Sequence, residues 1–282
     1  MQFIGIERNS ERWVAAVTDG GVRPVAAVEA FWSDPDGWSS RVIDDASAPL
    51  ERSTLTEVPL VPDSARVLCI GLNYRAHVAE GPFSVPEHPT IFGRWTASLS
   101  VGGVAAPIPT NEPGLDWEGE VAVYIGRAAH AVTEANALEH VFGFSTFNDL
   151  TARTAQKLTT QWTLGKNGDR SGPAGPLVTR DEVGDLKDGL DLRTRVNGIE
   201  VQHGNTRDLI FTVESIIALV SQTLTLRPGD VIVTGTPEGV GYARTPPWFL
   251  QPGDVVEIEV ERLGVLSTPI VAATDAPDEA AV

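Results

Sequence analysis

The chain is poor in cysteine, in basic charge and in long apolar runs, and each shortage excludes something. Cys69 is the only cysteine, so no disulfide can close within the chain. Set in Val67-Leu68-Cys69-Ile70, it reads as a small core residue. Lysine and arginine number 21 against 38 aspartates and glutamates, a formal charge of −17, with an isoelectric point near 4.6. The basic footprint on which nucleic-acid binding rests is missing, and anionic membranes are disfavoured for the same reason. An anionic substrate would also be repelled at long range, so a site for one must build local positive potential from a metal, an arginine or a lysine. No uninterrupted apolar run is long enough to cross a bilayer. Met1-Gln2-Phe3-Ile4-Gly5-Ile6-Glu7 has neither the basic nor the apolar region of a secretory leader, which sets the expectation of a cytoplasmic protein.

What is present is an ordinary globular composition, 42% apolar and 21% charged over 282 residues, long enough to bury a large core. Residues 1–62 mix short strand-like pieces with polar turns and end at Pro59-Leu60-Val61-Pro62-Asp63, the pattern of a small N-terminal α/β domain. A larger unit follows over 63–272, and 273–282 reads as a loose acidic tail. Strand-like runs at 67–71, 118–125, 141–147, 192–197, 231–234 and 255–260 dominate the larger unit. Helical spacing is clearest over 208–224, where Ile210, Val213, Ile216, Ile217 and Val220 recur on one face. Pro228-Gly229-Asp230 and Pro252-Gly253-Asp254 mark strand entries. The fold class is therefore α+β and β-rich.

Glu118 and Glu120 carry the chemistry. Alternation along a strand puts Val121, Val123 and Ile125 on one face and both glutamates on the other. At about 6.5 Å and an effective dielectric near 20, two carboxylates repel by about 2.5 kcal/mol. A buried pair therefore needs a proton or a cation, and the bland alternative is a solvated strand face. Asp149, after the run 141–147, is either a helix N-cap or a third carboxylate in a set that suits octahedral Mg²⁺ or Mn²⁺.

Further candidates surround this set. If the chain after Asp149 is helical, Arg153 and Gln156 share a face, and Arg153 suits a carboxylate; the alternative is two solvent-facing side chains. Lys166 lies in a glycine- and proline-rich loop, where lysine is usually solubilising but beside an enolate would stabilise negative charge. His77 and Glu80 would share a helix face ended by Gly81-Pro82, giving either a surface pair or an oriented general base. The second histidine of a zinc-protease motif is absent. Thr234-Gly235-Thr236-Pro237 forms a turn whose hydroxyl and N–H groups suit a carboxylate.

In order, Gly71-Leu72-Asn73-Tyr74-Arg75-Ala76-His77, Asp116-Trp117-Glu118-Gly119-Glu120, Phe147-Asn148-Asp149, the stretch 162–166, Val196-Asn197-Gly198, Pro228-Gly229-Asp230-Val231 and Thr234-Gly235-Thr236-Pro237-Glu238-Gly239-Val240 resemble the fumarylacetoacetate hydrolase family. The resemblance implies a mixed β-sandwich roll, usually a homodimer, with Mg²⁺ or Mn²⁺ on Glu118, Glu120 and Asp149. It implies catalytic roles for His77, Glu80 and Lys166, and substrate contacts from Arg153, Gln156 and Thr236. Two departures stand out: Gly168 replaces an aromatic usual two positions after the lysine, which would open the pocket wall, and Arg94 stands where many members have lysine. The activity implied is hydrolysis of a carbon–carbon bond in an acylpyruvate or related 1,3-dioxo acid, a small anionic 2-oxo acid. The rivals are oxaloacetate decarboxylation, isomerisation of an unsaturated hydroxy-dioate, and a diverged metal-binding protein without catalysis.

Overall fold

The computed structural model describes the chain at residues 1–44, 48–81 and 84–275; Pro82 and the tail beyond Asp275 lie outside the described residues. Among these, twelve strands form one sheet, whose main path runs Gly21–Ala27, Glu11–Thr18, Gln2–Arg8, Leu177–Thr179, Val141–Asn148, Gly119–Ile125, Val231–Val233, Val67–Gly71, Thr90–Arg94. A five-stranded sheet runs Ile199–Asn205, Asp191–Val196, Val255–Val260, Gly264–Ala272, Ala106–Ile108. Both are mixed: Val231–Val233 runs parallel to Val67–Gly71 and Gly264–Ala272 parallel to Ala106–Ile108, within largely antiparallel surroundings.

The strand Gly119–Ile125 is buried on both faces. Val121, Val123 and Ile125 pack with Ile216 and Ile217 of the helix Val213–Thr223 and with Leu192, Val256 and Ile258 of the second sheet. Ala122 and Tyr124 face the other way, into Phe3, Phe31, Trp32 and Phe142. The strands 191–196 and 255–260 alternate buried with half-exposed residues, the period-2 signature of a sheet with one wet face. The glutamate face of 118–125 is thus not the solvated surface that alternation alone allows. The N-terminal segment covers its Ala122–Tyr124 end through Phe3, Phe31 and Trp32, and Lys166, Arg153 and Gly235 close over the glutamates.

The helix expected over 208–224 begins only at Val213, capped by the Thr212 hydroxyl accepting from the Ser215 N–H at 3.3 Å. The preceding residues are held out of the helix, 206–208 as a 3-10 turn and 210–211 as a bend. Asn73 accepts from the Phe211 N–H at 2.7 Å through its side chain and from the Ile210 N–H at 2.8 Å through its carbonyl. The chain after Asp149 likewise first makes a strand, Thr151–Ala152, paired with Leu115–Asp116, and then one helical turn, Arg153–Gln156, whose N-cap is Ala152. Asp149 is not a helix cap. The two Pro-Gly-Asp turns share a device: Asp230 accepts from the Arg227 N–H at 2.7 Å and Asp254 from the Gln251 N–H at 2.8 Å, closing each turn over a glycine at positive φ. Among the described residues no helix is long and apolar enough to cross a membrane.

Candidate active site and metal centre

Register builds the carboxylate set. Gly119–Ile125 pairs antiparallel with Val141–Asn148, matching Gly119 with Asn148, and the Asp149 N–H donates to the Glu118 carbonyl at 2.9 Å. Glu118, just before the strand, and Asp149, just after its partner, are therefore neighbours, and Glu120 follows on the same face. Each offers a carboxylate oxygen, all within 4.8 Å of one another, and all three side chains are buried.

Cations are built in around two of the three. Lys166 lies not in a loop but at the end of a helical turn, Thr163–Lys166, and is buried. Its Nζ donates to Glu118 Oε2 and to Asp149 Oδ2, both at 2.6 Å. That approach depends on Gly165: a Cβ there would lie 2.5 Å from the Gln156 Cβ, so only glycine lets this turn press against Arg153–Gln156. Arg94 donates from Nε to Asp149 Oδ1 at 2.5 Å and is fixed by the Leu150 carbonyl and the Ser171 hydroxyl, both at 2.8 Å. Arg153 bridges Asp116 at 2.8 Å and Glu118 at 2.7 Å, and donates to Gln156 Oε1 at 3.1 Å.

Glu120 is different. Among the described residues no cation is paired with it, and its partner is the Gly235 N–H at 2.6 Å. Burial, with Asp149 and Glu118 beside it, pushes its carboxyl well above the ordinary range. Burial also opposes ionisation of Glu118, but Lys166 and Arg153 outweigh it and hold that carboxyl down at about 2. Burial would lower Lys166, yet Asp149 and Glu118 raise it, so the ammonium is firmly charged. A buried, cation-poor carboxylate beside two that have cations built against them is the donor set a hard divalent cation fits: all-oxygen, acidic and preassembled.

The remaining predicted residues border the same space, except Glu80, which stands behind His77. His77 lies on the short helix Arg75–Ala79, and its Nδ1 is 3.0 Å from Glu80 Oε2. Glu80, at the helix C-cap, accepts through its other oxygen from the Gly239 N–H at 2.7 Å. Thr236 is buried, donating to the Gly119 carbonyl at 3.0 Å and accepting from Gln202 Nε2 at 2.9 Å. His77, the three carboxylates, Arg153, Gln156, Lys166 and Thr236 all line one cavity of about 300 Å³, with Phe92, Trp162 and Tyr242 as its aromatic walls.

Gly168 does not open this wall. It is not among the lining residues, and a Cβ there would sit 3.6 Å from Pro109 and 3.9 Å from Ser171. Sequence reasoning missed Asp116, which is buried and accepts from the Trp117, Gly241 and Tyr242 N–H groups at 2.9, 2.7 and 3.0 Å while holding Arg153. It stands two residues before Glu118, and that parity was the available signal.

The sequence model of the family described as fumarylacetoacetate (FAA) hydrolase C-terminal matches residues 66–271. The oxaloacetate tautomerase fahd2, mitochondrial, of Xenopus laevis is 40% identical over 232 residues, covering 81% of this chain and 72% of that protein. Two solved structures are similar. A 2-hydroxyhepta-2,4-diene-1,7-dioate isomerase from Mycobacterium marinum has a TM-score of 0.79 at 29% identity, covering 97% of this chain and 99% of that one. A fumarylpyruvate hydrolase from Pseudomonas aeruginosa, in complex with Mn²⁺ and pyruvate, has a TM-score of 0.68 at 29% identity, covering 77% and 92%.

Proposed function

The chain belongs to the fumarylacetoacetate hydrolase family, and from that premise we propose that it is a Mg²⁺- or Mn²⁺-dependent homodimeric hydrolase that cleaves a carbon–carbon bond in an acylpyruvate or related 1,3-dioxo acid. The observation that carries this reading is one cavity holding a buried three-carboxylate set within 4.8 Å, a lysine between two of them and a His–Glu pair at the rim. The Mn²⁺ and pyruvate bound by the Pseudomonas aeruginosa fumarylpyruvate hydrolase support it.

Glu118, Glu120 and Asp149 would hold the divalent cation, which when bound would supply Lewis acidity at the 2-oxo acid end of the substrate. Arg153, Gln156 and Thr236 orient the substrate carboxylate. Glu80 accepts from His77 Nδ1, which fixes the tautomer and leaves Nε2 to take a proton from water. The hydroxide so formed adds to the distal carbonyl carbon. The bond from that carbon to the methylene then breaks, its electron pair passing to the pyruvate enolate beside the Lys166 ammonium. Return of the proton from His77 to the enolate carbon gives pyruvate and a carboxylic acid and restores the base.

The Xenopus laevis relative's name supports a second reading, proton transfer next to the carbonyl of oxaloacetate or an unsaturated hydroxy-dioate, as in tautomerisation, isomerisation or decarboxylation. Products separate the readings: pyruvate plus an acid, pyruvate plus CO₂, or an unchanged mass. Incubating the Mn²⁺-loaded protein with acylpyruvates and oxaloacetate, and identifying products by mass, decides between them. For the hydrolase, His77→Ala lowers turnover by about 10²–10⁴-fold and leaves Mn²⁺ affinity unchanged. Undiminished turnover in that variant would sink the role given to His77.

A further inference from the structure

The chain contains three lysines against 18 arginines. Lys187 is an exposed partner of Asp185 and Glu214. The other two, Lys157 and Lys166, line the same 300 Å³ cavity. A protein that meets nearly all its side-chain cationic needs with arginine has thus placed two of its three lysine ammonium groups around one small space.

Lys166 is committed to Glu118 and Asp149, Arg153 to Asp116 and Glu118, and His77 to Glu80. Lys157 has no carboxylate partner among the described residues. Its Nζ lies 4.4 Å from the centroid of the Tyr242 ring, on which the Arg153 guanidinium also rests at 4.8 Å. Lys157 is exposed, and Tyr242 is itself a cavity wall, so the ring draws the ammonium to the mouth of the cavity. The ordinary explanation for a lysine ending a helix is the helix dipole. Arg153–Gln156 is a single turn of four residues and has little dipole to offer.

Resting on the 2-oxo acid reading above, we infer that Lys157 receives a second carboxylate, at the substrate end remote from the 2-oxo acid group. The cavity is then built for 2-oxo dicarboxylates in preference to monocarboxylates. The 2-oxo end goes to the buried carboxylate centre, and the far end meets the ammonium over Tyr242, where partial exposure makes its contribution one of selectivity.

The test uses two matched pairs that lack the 1,3-dioxo arrangement and so bind without cleavage: 2-oxoglutarate against 2-oxopentanoate, and 2-oxoadipate against 2-oxohexanoate. Titration calorimetry with the Mn²⁺-loaded protein should give a dioate preference of about five- to tenfold in at least one pair. Lys157→Gln should abolish that preference, leaving monoacid affinity and melting temperature unchanged, and Lys157→Arg should retain it. Equal binding within both pairs, or a preference that survives in Lys157→Gln, overturns the inference while leaving the 2-oxo acid reading intact. Loss of monoacid affinity in a folded Lys157→Gln overturns it too, by placing Lys157 at the shared end. If no 2-oxo acid binds in a Mn²⁺-dependent way, the underlying reading falls, and this inference with it.

Discussion

Glu120 is the residue on which the centre turns, because its two neighbours have cations built against them and it has a backbone N–H. Its elevated carboxyl contributes stability to the metal-free protein that is full below the ordinary glutamate range and is lost as pH rises through the raised value. Glu118 acts in the opposite sense, contributing stability above the ordinary range that is lost only as pH falls toward 2. A divalent cation replaces the proton on Glu120, so its stabilisation should grow with pH. At a hundredfold excess over Kd, a bound ion adds about 2.7 kcal/mol, on the order of 5–10 °C in melting temperature. The gain from Mn²⁺ over chelator should be larger at about pH 8 than at about pH 6, and Glu120→Gln should flatten the difference. Equal gains at both pH values would contradict the assignment. The glutamate pair was legible from strand parity because period 2 is purely local. Its burial was not, since that depends on Lys166, Arg153 and Gly235 closing over it from distant parts of the chain.

At the scale of elements, two helical turns, Arg153–Gln156 and Thr163–Lys166, bring the cations to the carboxylates. Each is too short to be stable alone, and the glycine- and proline-rich composition around Lys166 reads as loop for that reason. Close packing makes them turns. Gly165→Ala would push its Cβ to within 2.5–2.6 Å of Gln156, separating the turns and withdrawing Lys166. The expected cost is about 1–3 kcal/mol of stability, the scale of overpacking, with turnover falling by more than tenfold while circular dichroism stays native. Turnover at the wild-type level would mean that Lys166 reaches its place without this contact. The His77–Glu80 spacing was legible because i,i+3 neighbours share a face on any helix. The latch from Glu80 to Gly239 was not, because it spans 159 positions in sequence.

For the whole molecule, the first 62 residues add four strands to the main sheet and supply Phe3, Phe31 and Trp32 to the core behind Ala122, Tyr124 and Phe142. A chain beginning at residue 63 would leave that apolar face and a strand edge uncovered. It should be recovered as aggregate by size exclusion. A monodisperse fragment that binds Mn²⁺ would instead make the N-terminal segment a separate domain.

Sequence by itself determined the β-rich class, most strand positions, the buried Cys69 and the pairing of Glu118 with Glu120 on one strand face, because period, turn chemistry and charge are properties of neighbours in the chain. Tertiary structure decided which cations face these groups, that 209–211 is not helical, and that Lys157 lies on the Tyr242 ring beside the cavity. Those depend on burial and on contacts between residues far apart in sequence, such as Arg94 with Asp149 and Asp116 with Gly241, which no local pattern encodes.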